Sequence, residues 1–210
     1  MPRILYLKAS PRLGRSHSVA VADAFVAAYQ ELHPGDSMET LDLFQADLPA
    51  FDGLLVNARY NILHGQPHSL EEAAAWRRVE ELIGQFKAAD KYVLATPMWN
   101  FSLPYRLKQY LDIIVQPTYT FTYSPETGYR GLVTGRPMFL ACARGGAYPE
   151  GTPAAAFDLQ VPYLRLILQF IGFTDLRWVF IEPTLEQGPE VAREKRRQAM
   201  ERARQMAREF

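Results

Sequence analysis

Ile4-Leu5-Tyr6-Leu7, then Lys8-Ala9-Ser10-Pro11-Arg12-Leu13-Gly14-Arg15-Ser16-His17-Ser18, then Val19-Ala20-Val21-Ala22-Asp23-Ala24-Phe25-Val26: this stretch decides how the chain folds. Its first part is a short apolar run of strand type. Its last part has helical spacing, which predicts a helix over Ser18–Leu32. Between them lies a loop rich in hydroxyl side chains. A helix start presents N–H groups without partners of their own, and the helix dipole is positive there. Ser10, Ser16, His17 and Ser18 add donors, so the loop reads as a seat for one phosphate group. A plainer use is also open, in which Ser16 or Ser18 only caps the helix. No Gly-Lys-Ser or Gly-Lys-Thr follows, which excludes a Walker A loop, and G-x-G-x-x-G is absent.

The same alternation continues along the chain. Strands are predicted at Arg3–Leu7, Met38–Leu43, Lys91–Thr96, Pro137–Ala143 and Asp175–Ile181. Helices are predicted at Asp52–Leu63, from an N-cap at Ser69 to about Ala88, at Pro104–Val115, at Ala154–Gly172 and at Pro189–Phe210. An aromatic hairpin-like insertion, Thr118–Gly131, turns at Ser124-Pro125-Glu126-Thr127-Gly128 before the fourth strand. The class is α/β: one domain over residues 1–210, with a parallel sheet covered on both faces by helices. Ligands on such sheets lie beyond the carboxyl ends of the strands. The loops after strands one, three and four should therefore meet.

Loop two, Pro97-Met98-Trp99-Asn100-Phe101-Ser102-Leu103-Pro104, offers an apolar wall from Met98 and Trp99 and backbone donors held by prolines. It is also compatible with an Asx-type turn that tucks its aromatics into the core. Loop three, Ala143-Arg144-Gly145-Gly146-Ala147-Tyr148, has two glycines that let backbone approach a ligand. Their N–H groups could serve a developing negative charge. Arg144 is open to a structural reading, and Tyr148 is a candidate hydroxyl donor or a surface tyrosine.

Bulk composition narrows the classes. Lys and Arg number 23 and Asp and Glu number 23, so a general polyanion binder and a nucleic-acid partner are not expected. No run approaches about 18 apolar residues, so no membrane partner is expected. The N-terminus enters a strand without the pattern of a signal peptide, and the expected location is the cytoplasm. Cys142 is the only cysteine, which excludes an internal disulfide and a Cys-rich metal site. No metal is expected.

Together the three loops resemble the FMN-dependent NAD(P)H azoreductases, also described as quinone reductases, of the flavodoxin-like superfamily. The pieces that carry this are Ser10 with Ser16-His17-Ser18, Pro97-Met98-Trp99-Asn100-Phe101, Arg144-Gly145-Gly146, Gly131-Leu132-Val133-Thr134-Gly135 and Phe170-Ile171-Gly172-Phe173. The resemblance implies strand order 2-1-3-4-5 and FMN as bound cofactor. It implies that Ser10, Ser16, His17 and Ser18 hold the FMN phosphate. Pro97, Met98, Trp99, Asn100 and Phe101 would line the isoalloxazine. Ala143, Arg144, Gly145 and Gly146 would contact its pyrimidine side. Family members often have Ser where Ala143 stands and Tyr where Trp99 stands. Some have His where Tyr148 stands, so a catalytic His is not carried over, and Tyr148 is the remaining candidate.

The resemblance further implies a homodimer with shared active sites. Phe51, Tyr60, Tyr119, Phe121, Tyr123 and Tyr129 are the aromatics expected at the partner or substrate face. The implied activity is two-electron reduction of quinones and azo compounds by NADH or NADPH, with donor and acceptor using one site in turn. An electron-carrier flavodoxin is the alternative, but zero net charge and the aromatic insertion oppose it. A cysteine phosphatase would need a thiolate in a phosphate loop, and Cys142 lies in a strand two residues from Arg144.

Overall fold

Alternating apolar residues build the sheet. In β1 (Arg3–Lys8), Ile4 and Tyr6 face one side while Leu5 and Leu7 face the other. The computed structural model describes residues 1–210. Along the chain follow α1 (His17–Leu32), β2 (Ser37–Asp42), α2 (Gly53–Leu63), α3 (Leu70–Lys87), β3 (Lys91–Pro97) and α4 (Tyr105–Ile114). Then come β4 (Phe121–Ser124), β5 (Gly128–Gly131), β6 (Met138–Ala143), α5 (Gln160–Ile171), β7 (Leu176–Ile181) and α6 (Gly188–Ala207). The main sheet is five-stranded, in the order β2-β1-β3-β6-β7, and its pairs are all parallel. With the β4–β5 hairpin set aside, this is the expected order 2-1-3-4-5.

Two cores flank the sheet. Ile4, Tyr6, Val93, Ala95, Phe139 and Ala141 meet Phe25 and Tyr29 of α1 and Ala199, Ala203 and Ala207 of α6. Phe25 stacks on Phe139 at a centroid distance of 4.0 Å. The opposite core joins Leu5, Leu94 and Leu140 to Trp76 and Phe86 of α3, Tyr110 of α4 and Leu168 of α5. The small alanines of α6 let that charged helix sit close to α1. Its apolar face is narrow because only one stripe is buried.

The expected Ser69 cap is present as a full capping box. Glu72 N donates to Ser69 Oγ at 3.1 Å, and Ser69 N donates to Glu72 Oε2 at 2.8 Å. The hairpin turn also falls where expected, and the two glycine-bearing motifs flagged above meet in space. A Cβ on Gly131 would sit 2.3 Å from Gly172 N, and Gly172 closes α5 at φ 118°. Val133 N donates to Ile171 O at 2.8 Å, so the hairpin is docked on the end of α5.

One predicted element is corrected. The helix expected over Ala154–Gly172 is broken. Pro153–Phe157 forms a short 3-10 turn, and α5 begins only at Gln160. Asp158 ends the first piece and starts the second, because its Oδ1 accepts from Gln160 N and Val161 N, each at 3.0 Å. His68, in the loop before α3, is tied to α2, since its Nε2 lies 2.9 Å from Ala58 O.

Candidate functional site

The carboxyl ends of β1, β3 and β6 lie side by side, and their loops enclose a cavity of about 160 Å³. Loop one lines it with Ser10, Arg12, Ser16 and His17. Loop two contributes Pro97, Met98 and Trp99, and loop three contributes Ala143 and Gly145. Thr184 and Leu185, from the segment after β7, complete the lining.

Loop one keeps its polar groups loosely used. Ser16 is the N-cap of α1, but the bond from Val19 N to its Oγ is 3.4 Å long. Arg12 N reaches Ser10 Oγ only at 3.5 Å, and Ser16 Oγ lies 3.2 Å from Ser18 Oγ. These are lengths at which a hydrogen bond is weak. All three serines are buried. His17 Nδ1 is buried with no hydrogen-bond partner among the described residues. Burial, and then the charges of Arg196 and Arg12, hold the His17 imidazole below its ordinary pKa, so it is neutral at pH 7. Buried donors that the protein leaves underused, beside a helix start, fit the phosphate of a mononucleotide. A plain cap does not account for Ser10 or for the orphaned ring nitrogen.

Loop two is a tight turn. Trp99 N donates to Ser102 O at 3.0 Å, and Ser102 N donates to Trp99 O at 2.9 Å. Between them Asn100 and Phe101 have φ of 47° and 66°. Two consecutive left-handed residues inside such a pair are the mark of a type I′ turn. Asn tolerates that region, but Phe adopts it at a cost of about 1–2 kcal/mol. Strain of this kind persists only where the surroundings over-determine it, and it gathers at working sites. Leu159 N donates to Phe101 O at 3.0 Å, and Gln160 Nε2 donates to Pro97 O at 2.9 Å. Trp99 packs with Phe44 at 5.7 Å and with Tyr105 at 6.4 Å. The Asx-type reading is corrected, since it is backbone that closes this turn. The half-buried Met98 and Trp99 supply an apolar wall for a flat ring.

Loop three uses its glycines differently from the expectation. A Cβ on Gly145 would lie 3.0 Å from Leu185 Cδ1, and one on Gly146 would lie 2.3 Å from Glu186 Oε1. The close approach is to the segment after β7. Thr184 N and Leu185 N both donate to Gly145 O, at 3.1 and 3.0 Å. The Arg144 side chain is corrected as well. Its guanidinium is buried against Asp158 and Glu182, and Arg144 does not line the cavity. Ser18, Asn100, Phe101 and Gly146 border the cavity in sequence but do not line it. Tyr148 is half-buried, its ring 5.5 Å from the Arg144 guanidinium carbon, and it does not line the cavity either.

The aromatic candidates fall elsewhere. Phe121, Tyr123 and Tyr129 line a second hollow of about 750 Å³, with Ile62, Leu111 and Phe170, between α2, α4, α5 and the hairpin. This hollow is larger than the three-loop cavity, but the buried hydroxyls of loop one and the start of α1 lie at the smaller one, which is therefore the candidate site. Phe121 is only 7% exposed and rests on Phe170 at 4.8 Å, which corrects its expected exposure. Phe51 and Tyr119 pack against the core, and the Tyr119 hydroxyl donates to Glu80. Tyr60, Tyr123 and Tyr129 are exposed. Cys142 is fully buried, and burial pushes its thiol up to about 12, which excludes the thiolate chemistry of a phosphatase.

Sequence reading missed Thr184, Leu185, Asp158, Gln160 and Glu182. Asp158 had a signal, as an acid two residues before a helical run. Thr184 and Leu185 follow the carboxyl end of a fifth strand, where the rule for sheet ligands applies equally. Nothing in the local sequence marks Gln160 or Glu182.

A five-stranded parallel sheet with this order and a cleft formed by the loops at its carboxyl end defines a flavodoxin-like protein. The family described as a flavodoxin-like fold matches residues 2–207. Within that fold, the chain belongs to the family of FMN-dependent NADH:quinone oxidoreductases and azoreductases. It is 60% identical over 210 residues to the FMN-dependent NADH:quinone oxidoreductase of Nitratidesulfovibrio vulgaris, covering 100% of both chains. It is 37% identical over 212 residues to FMN-dependent NADH:quinone oxidoreductase 3 of Pseudomonas fluorescens, covering 100% of this chain and 98% of the relative. Among solved structures, an azoreductase from Bacillus anthracis superposes with a TM-score of 0.91 at 35% identity over 100% of both chains. An FMN-dependent NADH-azoreductase of the same species, in complex with FMN, superposes with a TM-score of 0.86 at 31% identity, over 99% of this chain and 100% of that one.

Proposed function

We propose that this protein reduces quinones and azo compounds with NADH or NADPH as donor, using bound FMN. The observation that carries this reading is one cleft with an underused phosphate seat at one end and an apolar wall at the other. The names of the relatives favour an enzyme over an electron carrier. When bound, FMN supplies the two-electron hydride chemistry. Ser10, Ser16 and His17, which line the cleft, are assigned to its phosphate together with Ser18, whose Oγ lies 3.2 Å from Ser16 Oγ, and His17 is neutral and able to donate from one ring nitrogen. Met98 and Trp99 are assigned to the ring face. The turn at Asn100 and Phe101 holds that wall in place. Backbone N–H groups of loop three, at Gly145 and Gly146, are assigned to the pyrimidine side, where preorganised donors stabilise negative charge that builds on reduction. Tyr148, whose hydroxyl lies beside Gly146 of loop three, is kept as a candidate hydroxyl donor.

Donor and acceptor are taken to occupy the same cleft in turn. Double-reciprocal plots of NADH against a benzoquinone should then give parallel lines. Intersecting lines would show a ternary complex and contradict this order. The 210 residues are read as one domain acting as a homodimer. The exposed Tyr123 and Tyr129, 60% and 66% exposed, beside the 750 Å³ hollow are the surface assigned to the partner. Among the described residues no helix is long and apolar enough to cross a membrane, and we place the protein in the cytoplasm.

A further inference from the structure

We infer that Arg144 is a positioning residue, which ties two walls of the cleft together through Asp158 and Glu182 rather than touching the cofactor with its charge. The inference rests on the FMN reading above. The Arg144 side chain is only 4% exposed, between Asp158 Oδ2 at 2.6 Å and Glu182 Oε2 at 2.9 Å. The Asp158 contact is an aligned, charge-assisted hydrogen bond. The Glu182 contact lacks that alignment and is coulombic. The Phe180 ring lies 4.3 Å from the guanidinium carbon and completes the enclosure.

Each carboxylate leads to a different wall. Asp158 uses its other oxygen to start α5, and the first residues of α5 hold loop two, through Leu159 N to Phe101 O and Gln160 Nε2 to Pro97 O. Glu182 directly follows β7, and the residues after it hold loop three. Thr184 N and Thr184 Oγ1 both donate to Arg144 O at 2.9 Å. Thr184 and Leu185 line the cleft themselves. The guanidinium thus joins the strained turn of loop two to the Thr184–Leu185 wall. A buried ion cluster is weak evidence for stability, because desolvation opposes the attraction. A planar fork between two fixed acceptors does set geometry, which a flexible ammonium cannot match. With a carboxyl group on either side, Arg144 has no free charge to offer a ligand.

The test sets Asp158→Asn beside Arg144→Met in the full-length protein. Asn keeps an acceptor to start α5, so that variant should fold. If Arg144 positions the walls, Asp158→Asn weakens FMN binding by about three- to tenfold, read by flavin fluorescence titration, and changes the visible circular dichroism of bound flavin. Arg144→Met weakens it at least as much. If Arg144 instead binds the cofactor by charge, Asp158→Asn frees that charge, and FMN binds more tightly or equally well. That result overturns the inference. A second readout needs no flavin. Amide hydrogen exchange in the cofactor-free protein should speed up at residues 98–102 and 184–186 in both variants, with β1 and β3 unchanged. Unchanged exchange there overturns the inference, as does a rise spread over the whole sheet. Failure of the unaltered protein to bind FMN would defeat the functional reading, and hydrogen exchange would still decide the role of Arg144.

Discussion

The two ends of the cleft are built in opposite ways. The phosphate end is local: Ser10, Ser16, His17 and Ser18 come from one loop and the start of α1, and the hydrogen bonds of the three hydroxyls within the protein are long. The ring end is assembled from distant segments, and its bonds are short and span many residues, as from Leu159 N to Phe101 O and from Thr184 N to Arg144 O. An end whose donors are underused is poised for a ligand. An end whose bonds are already made is a rigid frame. Changes at the first should act on cofactor affinity and spare the fold, while changes at the second should act through shape.

The largest expected effect is at the phosphate end. Charge-assisted hydrogen bonds contribute about 1.5–3 kcal/mol each. Ser16→Ala combined with Ser18→Ala should lower FMN affinity at least tenfold, measured by fluorescence titration. The melting temperature of the cofactor-free protein should hardly move, because the capping bond is already weak. Unchanged affinity with a large stability loss would mean that these serines are caps only, and the contrast between the ends would collapse.

Next comes the frame's outer edge. Phe121→Asp would bury a charge inside the protomer and unfold it, so exposed Tyr123 is the better probe of association. Tyr123→Asp should weaken dimerisation at least tenfold and reduce turnover, while the fold and part of the FMN binding survive. Light scattering across a concentration series, with circular dichroism, reads this. A wild type that stays monomeric at high concentration with full activity would remove the shared-site argument.

A smaller effect is expected at Phe101, whose φ of 66° is strained while its ring is half exposed. Phe101→Asn should raise stability by up to about 1 kcal/mol, since Asn accepts the left-handed region. Denaturant titration measures it. A clear loss would show that the ring contact with Phe157 outweighs the strain.

The smallest effect is a pH dependence at His17. Its folded pKa lies below the ordinary value near 6.5, with burial as the first cause. The unfolded chain therefore binds a proton first as pH falls. The contribution of neutral His17 is complete above about pH 6.5 and fades as pH drops below it. Between pH 7.5 and 5.5, the cofactor-free wild type should lose more melting temperature than His17→Gln. Equal losses would place His17 in solvent.

The contrast between the ends also explains what the sequence could reveal. The sheet was legible because strands covered on both faces carry long apolar runs, as in Lys91–Thr96 and Met138–Ala143. The phosphate end was legible because its residues are neighbours in the chain. The frame was not, because Asp158, Gln160, Glu182 and Thr184 acquire their roles only when remote segments meet. The predicted helix over Ala154–Gly172 failed for that reason: Asp158 caps α5 and holds Arg144 at once, and no local propensity records the second task. Arg144 is open to a structural reading in the sequence, but its partners lie 14 and 38 residues further along the chain, where no local pattern names them.

The most direct measurement of the central claim is the identity of the cofactor released by heat from the purified, FMN-reconstituted protein. One phosphate seat, with no glycine fingerprint for an adenylate half in the sequence, predicts that mass spectrometry finds FMN at about one per chain. Recovery of FAD, or of no flavin after reconstitution, would contradict the account.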